Sequence, residues 1–175
     1  MKKIVNLYGG PGSGKSTNAA HLFALAKQND INAELVREYI KNWVWEGRQI
    51  QPGDQIYIAA KQSKLERVCL KDVDLIVTDS PMMLSQYYEE KYDNTYPVCK
   101  HIIQKHNEIV ADHGFEQLHV FLQRTKKYNP KGRMQTEEES KQVDLELKNL
   151  LISNNIEFKE VVADSNAAQT IFNLL

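Results

Sequence analysis

The chain has 175 residues, 42% of them hydrophobic and 26% charged, with a formal net charge of -1 at pH 7, the length and balance of one soluble globular domain with a substantial core. The near-zero charge excludes a general electrostatic pull toward nucleic acid or an anionic membrane, and no uninterrupted apolar run approaches the roughly 20 residues that span a bilayer. Cys69 and Cys99 have neither metal-ligand nor redox spacing, and are expected to be small buried hydrophobes in a reducing cytoplasm.

The chain opens with Met1-Lys2-Lys3, five residues of strand and then glycines, which is not the pattern of a signal peptide. A mostly apolar strand is predicted over residues 3–8. It runs into Gly9-Gly10-Pro11-Gly12-Ser13-Gly14-Lys15-Ser16-Thr17. The spacing matches G-x-x-x-x-G-K-[ST], the Walker A or P-loop pattern. Glycines let the backbone curl so that successive N–H groups converge on an anion, and the following helix turns its positive end to the same point. Lys15 supplies a cation for the β- and γ-phosphates, and the Ser16 hydroxyl is placed to ligate Mg2+. The expected ligand is a nucleoside triphosphate held along Gly9 to Thr17.

A helix is predicted over residues 15–28, a turn over 29–32 and a second strand over 33–36, with Arg37-Glu38-Tyr39 at its carboxyl end. A polar-aromatic helical segment follows at 40–48, then a turn in which Asp54 is a candidate N-cap, and a helix over 55–71. The third strand is read at 75–78, ending in Asp79-Ser80-Pro81, with helices over 82–92 and 96–113 and a fourth strand at 118–122. Residues 124–135 hold three lysines, two arginines, Pro130 and Gly132, and almost nothing apolar, so they belong at the surface. Thr136 and Glu139 have capping-box spacing for a helix to 154, followed by a fifth strand at 158–162 and a helix at 165–174. Short buried strands alternating with helices imply a parallel sheet covered on both faces. Ligands of such sheets gather at the carboxyl ends of the strands, which assembles the P-loop, Arg37-Glu38 and Asp79-Ser80-Pro81.

Each candidate has a plain alternative. Asp79 is placed as a Walker B aspartate that holds Mg2+ beside Ser16, or as an N-cap of the next helix. Glu38 is a general base for an attacking hydroxyl, or one half of a surface ion pair with Arg37 or Lys41. The basic stretch is a lid whose Arg133 closes over the transferred phosphoryl, or a solvated charge run. Gln62 has paired donor and acceptor for a base or carboxamide edge, or a purely structural bond. Trp43, Trp45, Arg48 and Tyr57 line the same pocket or pack elsewhere, and the five histidines show no ligand spacing.

With these elements in order, the chain resembles small P-loop kinases related to the ribosylnicotinamide kinase domain of bifunctional NAD-salvage regulators, relatives of which are common in bacteriophage genomes. The resemblance spans nearly the whole chain, although only the P-loop is a highly specific motif. It implies an α/β P-loop NTPase fold with an adenylate-kinase-like five-stranded sheet, order 2-3-1-4-5, as a single domain over 1–175 with a short lid near 124–136. It further implies ATP and Mg2+ as cofactors, Arg124 stacked on adenine near Asp164, and an acceptor between Glu38, Arg48 and Gln62. Deoxynucleoside kinases carry Glu-Arg-Ser after strand three where this chain has Asp79-Ser80-Pro81, so their acceptor pose does not transfer.

The reading is an ATP- and Mg2+-dependent kinase of a small nucleoside- or nucleotide-like acceptor, located in the cytoplasm (the host's, if phage-encoded). Two alternatives stand beside it: a kinase of a modified base or end in DNA, and a nucleotide-dependent switch. Absence of an Asn-Lys-x-Asp motif favours ATP over GTP by family analogy.

Overall fold

The computed structural model describes residues 2–93, 97–125 and 136–175. Five strands, β1 (Lys2–Tyr8), β2 (Ala33–Val36), β3 (Leu75–Thr78), β4 (Phe115–Gln123) and β5 (Lys159–Val162), form one sheet in the order β2-β3-β1-β4-β5. Every pairing is parallel, with Val5 opposite both Val77 and Leu118. The expected strand order is the observed one. β4 is longer than expected because its first residues, from Phe115, pair with β1 from Lys2 onward although Glu116 and Gln117 have weak strand propensity.

The described residues form seven helices: α1 (Lys15–Gln28), α2 (Lys41–Trp45), α3 (Asp54–Arg67), α4 (Met83–Tyr92), α5 (Val98–Asp112), α6 (Glu137–Ser153) and α7 (Ala167–Phe172). Alternation along β1 decides which helix meets which face. Val5 and Leu7 pack with Leu22 of α1 and Ile171 of α7, all fully buried. Tyr8 faces the other way and joins Met83 of α4, Ile103 of α5 and Leu147 of α6. A third cluster closes the lower edge around Ile4, Ile76 and Val110. Cys99 is buried as expected, whereas Cys69 is half-exposed at the end of α3.

Helix starts follow two chemistries. At α3 the N-cap is Gly53 with φ 85°, not Asp54, whose carboxylate instead accepts from the Gln51 N–H at 2.8 Å. At α6 the anticipated capping box is complete: Thr136 Oγ1 accepts from Glu139 N–H at 3.2 Å, and Glu139 Oε2 accepts from Thr136 N–H at 2.7 Å. Thr136→Ala leaves one orphan helix N–H and is expected to destabilise the protein by about 1 kcal/mol, read as a lower urea midpoint at unchanged slope.

Candidate active site

The P-loop leaves the carboxyl end of the central strand and turns directly into α1. Gly9 has φ 138°, and a Cβ there would sit 2.5 Å from Ser13 Oγ and 3.3 Å from the Leu122 carbonyl, so the tight return demands glycine. The Lys15 ammonium folds back onto the loop, donating to the carbonyls of Gly9 at 2.6 Å and Gly10 at 3.2 Å. Ser16 and Thr17 are exposed on the first turn of α1, which carries no acidic residue to cancel its positive end. Ser13 Oγ is buried without a hydrogen-bond partner among the described residues. This donor set fits a polyphosphate: a cation, a hydroxyl and free helix N–H groups converge on one point, with nothing anionic in the first turn of α1.

A cavity of about 660 Å3 opens from that point. Lys15, Ser16, Glu38 and Asp79 line its phosphate end. Asp79 is 5% exposed, and its Oδ1 accepts from the Glu38 N–H at 3.0 Å. The N-cap of α4 is Met82, with no side-chain capping bond, so the capping alternative for Asp79 is not realised. Ser16 and Asp79 together offer hard oxygen ligands that fit Mg2+, an ion that takes few protein ligands and keeps water and phosphate oxygens. Among the described residues no group of three or more His, Cys, Asp or Glu forms a closed metal cage.

Charges around Lys15 are balanced closely. Burial lowers the Lys15 pKa, and the carboxylates of Glu38, Asp79 and Asp144 oppose that shift. Burial raises the Glu38 pKa, with Asp79 adding to the rise and Lys15 opposing it. A carboxyl lifted in this way is a better proton acceptor than an exposed one.

Away from the phosphates, the cavity wall changes character. Tyr88 and Tyr92 of α4 stack on each other with ring centroids 6.1 Å apart, and both line the cavity, as do Ile40, Val44 and Leu84. Gln55, 5% exposed on the first turn of α3, contributes a buried amide to the wall, and Ser85 a hydroxyl. None of these was singled out in the sequence, because their only signal is a polar or aromatic side chain on a helix whose facing direction is set by packing. A second hollow, about 480 Å3, runs along β2 past Leu35, Leu65 and Cys69, and no P-loop residue lines it.

The expected acceptor trio of Glu38, Arg48 and Gln62 does not form; only Glu38 reaches the cavity. Gln62 is 2% exposed, and its Oε1 accepts from the Tyr39 N–H at 3.0 Å. It therefore holds the Glu38–Tyr39 backbone from below, one residue beyond the amide held by Asp79. The Arg48 guanidinium lies 3.4 Å over the Trp43 ring and 3.9 Å from Asp54, where cation–π attraction and an ion pair retain it. Trp43 is buried and stacked on Tyr57, while Trp45 is exposed.

Arg124 leaves β4 beside the P-loop but is already engaged: it donates to Asp144 at 2.8 Å, Ser140 Oγ at 2.9 Å and the Pro11 carbonyl at 2.9 Å. Asp164 is exposed, its Oδ1 accepting from Asn166 N–H, in a loop tied to the end of β4 by Thr125 Oγ1 donating to the Ala163 carbonyl at 2.8 Å. Arg133 and the stretch 126–135 of the expected lid lie outside the described residues. Of the histidines, His106 is buried and satisfied, paired with Glu66 at 3.1 Å and Ser63 Oγ at 3.1 Å between α3 and α5.

The profile of the AAA domain family matches residues 4–168. The chain belongs to the AAA domain family. No curated protein matches it by sequence. Among solved structures, NadR in complex with NR superposes with a TM-score of 0.69 at 16% identity, over 98% of this chain and 49% of the NadR chain, so this chain spans about half of NadR. The Mycobacterium tuberculosis APS kinase CysC in complex with AMPPNP and APS gives a TM-score of 0.54 at 15% identity, covering 99% and 96% of the two chains. APE1195 gives 0.50 at 16% identity, covering 99% and 94%. The shared property at these identities is the fold.

The raised Glu38 pKa has a stability consequence. A carboxyl whose folded pKa lies above its unfolded value holds its proton more tightly in the native state, so stability falls as pH rises from the ordinary carboxylate range through the folded pKa. Glu38→Gln is therefore expected to raise Tm at pH 7 to 8, with the gain over wild type closing as pH falls below the ordinary glutamate value. Thermal unfolding of both proteins across pH checks the sign.

Proposed function

We propose that the protein transfers the γ-phosphoryl of ATP, with Mg2+, to a hydroxyl or phosphate of a small nucleoside- or nucleotide-like acceptor bound in the cavity beside the P-loop. The carrying observation is that Lys15, Ser16, Glu38 and Asp79 line one end of a cavity whose remaining walls supply the aromatic rings of Tyr88 and Tyr92 and the buried amide of Gln55. That combination suits a flat, partly polar molecule anchored next to a phosphate site. The two kinase neighbours were solved with NR and with AMPPNP and APS, which supports the reading by fold.

In this mechanism the P-loop N–H groups and Lys15 orient the polyphosphate and offset its charge. Ser16 and Asp79 would hold Mg2+, which supplies further neutralisation of the phosphate oxygens. Glu38, held through its own N–H by Asp79 and through the next N–H by Gln62, accepts the proton of the attacking acceptor oxygen. Arg124 and the Asp164 loop stand on the far side of the P-loop, where the adenine is expected, and Arg133 is the candidate lid cation. The whole chain over 1–175 acts as one kinase domain in this reading.

A second reading, a base presented by a DNA strand, draws on α2. Trp45 is 71% exposed, with Lys41 Nζ 5.4 Å from its ring centroid, a stacking-and-cation pairing that suits single strands. Steep loss of activity with salt would mark that acceptor.

The test is a transfer screen with Mg–ATP against nucleosides, nucleoside monophosphates, NR, APS and modified DNA, read by mass spectrometry, with Lys15→Ala as the blank. One acceptor gaining a single phosphate with wild type and not with Lys15→Ala is the expected result. ATP hydrolysis with no phosphorylated acceptor would instead mark a nucleotide-dependent switch. On the acceptor found, Glu38→Gln is expected to lower kcat by about 100-fold or more with little change in the KM for ATP.

A further inference from the structure

The outer side of the P-loop is gripped by Asp144 and Ser140, which the proposed chemistry does not use, together with Arg124. Gly9, Pro11, Gly12, Lys15 and Ser16 line the cavity, whereas Gly10 meets α6. The Gly10 N–H donates to Asp144 Oδ1. Asp144 Oδ2 accepts from Arg124 Nη2 at 2.8 Å and Nε at 3.2 Å, in a pair whose side chains are 20% and 11% exposed. Arg124 Nη1 then donates to the Pro11 carbonyl at 2.9 Å, and the fully buried Ser140 Oγ donates to the same carbonyl. An N–H and a C=O from adjacent loop residues are thus held by one charge-balanced unit.

The approach is close enough to select the loop residue. A Cβ on Gly10 would lie 2.5 Å from the Ser140 carbonyl and 2.9 Å from Asp144 Oδ1. Any other residue at position 10 would push the loop and α6 apart. The P-loop pattern itself leaves this position open, so the glycine at 10 answers to α6 and not to the motif.

We infer that Asp144 is a positioning residue for the phosphate-binding loop, acting through the Gly10 N–H and through Arg124. The inference rests on the nucleotide reading of the P-loop. A loop held in its binding shape before the ligand arrives avoids the ordering cost that a slack loop incurs on binding. Arg124 is the element that makes a carboxylate tolerable beside a phosphate site, because its guanidinium balances the charge at 2.8 Å. Loop shape and the orientation of Arg124 therefore both pass through this one side chain, which touches no reacting atom.

The experiment compares wild type, Asp144→Ala and Asp144→Asn. Asn keeps an acceptor for the Gly10 N–H but loses the ionic partner of Arg124, and it serves as the milder variant if Ala compromises folding. Hydrogen exchange over residues 9–14 of the nucleotide-free proteins reads loop order, with residues 98–112 of α5 as the internal reference. Calorimetric titration with Mg–ATP reads the consequence for binding. The expected result is at least tenfold faster exchange over 9–14 in Asp144→Ala with α5 unchanged, a Kd for Mg–ATP raised at least tenfold, and Asp144→Asn between the two. Unchanged exchange over 9–14, an equal rise in α5, or a Kd within twofold of wild type would each overturn the inference. Failure of wild type to bind Mg–ATP would instead remove the nucleotide reading, and the exchange comparison would still decide whether Asp144 orders the loop.

Discussion

The parallel pairing of β1 with β3 on one side and β4 on the other is the constraint from which the rest of this molecule follows. Parallel ladders run all strands in one direction, so the segments that leave them emerge along one edge. Register then places Asn6 beside Thr78 and Tyr8 beside Phe121, which brings the P-loop, Asp79 and Arg124 out at one level. β2 pairs with β3 through Val36 and Thr78, and this adds Glu38 to the same edge. A shift of one residue in any of these ladders would turn the functional side chains to the opposite face.

Polar groups beneath that edge hold the backbone in place. Asp79 and Gln62 take consecutive N–H groups at Glu38 and Tyr39, so the loop after β2 is fixed from two elements at once. Unpaired amides in this buried layer would each cost on the order of 1–3 kcal/mol, which explains why side chains with acceptors sit there. His106, Glu66 and Ser63 bind α3 to α5 and thereby steady the helix that carries Gln55 and Gln62. The same logic governs the outer side of the P-loop, where Asp144, Arg124 and Ser140 satisfy the peptide groups of Gly10 and Pro11. Burial still lowers the Lys15 pKa, opposed in part by Glu38, Asp79 and Asp144.

The cavity divides the two halves of the proposed chemistry between two kinds of sequence. Its P-loop end is built from the loop itself with Glu38 and Asp79 from the ends of β2 and β3, while the rest of its wall is built from single side chains of α3, α4 and the segment between β2 and α3.

What could be read without coordinates was local in origin. Gly9 to Ser16 carries its own geometry, the bounds of β2 and β3 follow from short apolar runs ended by polar residues, and the box of Thr136 and Glu139 depends on spacing alone. The gathering of the P-loop, Glu38 and Asp79 followed from the alternation of strand and helix, and the strand order from the family resemblance. Tertiary structure alone decided where helical side chains point. Gln62 and Arg48 carry suitable groups yet serve Tyr39 and Trp43, while Gln55, Tyr88 and Asp144, unmarked in the sequence, face the cavity or the loop. A motif fixes contacts among residues a few positions apart; which residue of a helix meets a loop more than a hundred positions away depends on the packing of the whole sheet, and no local pattern encodes that.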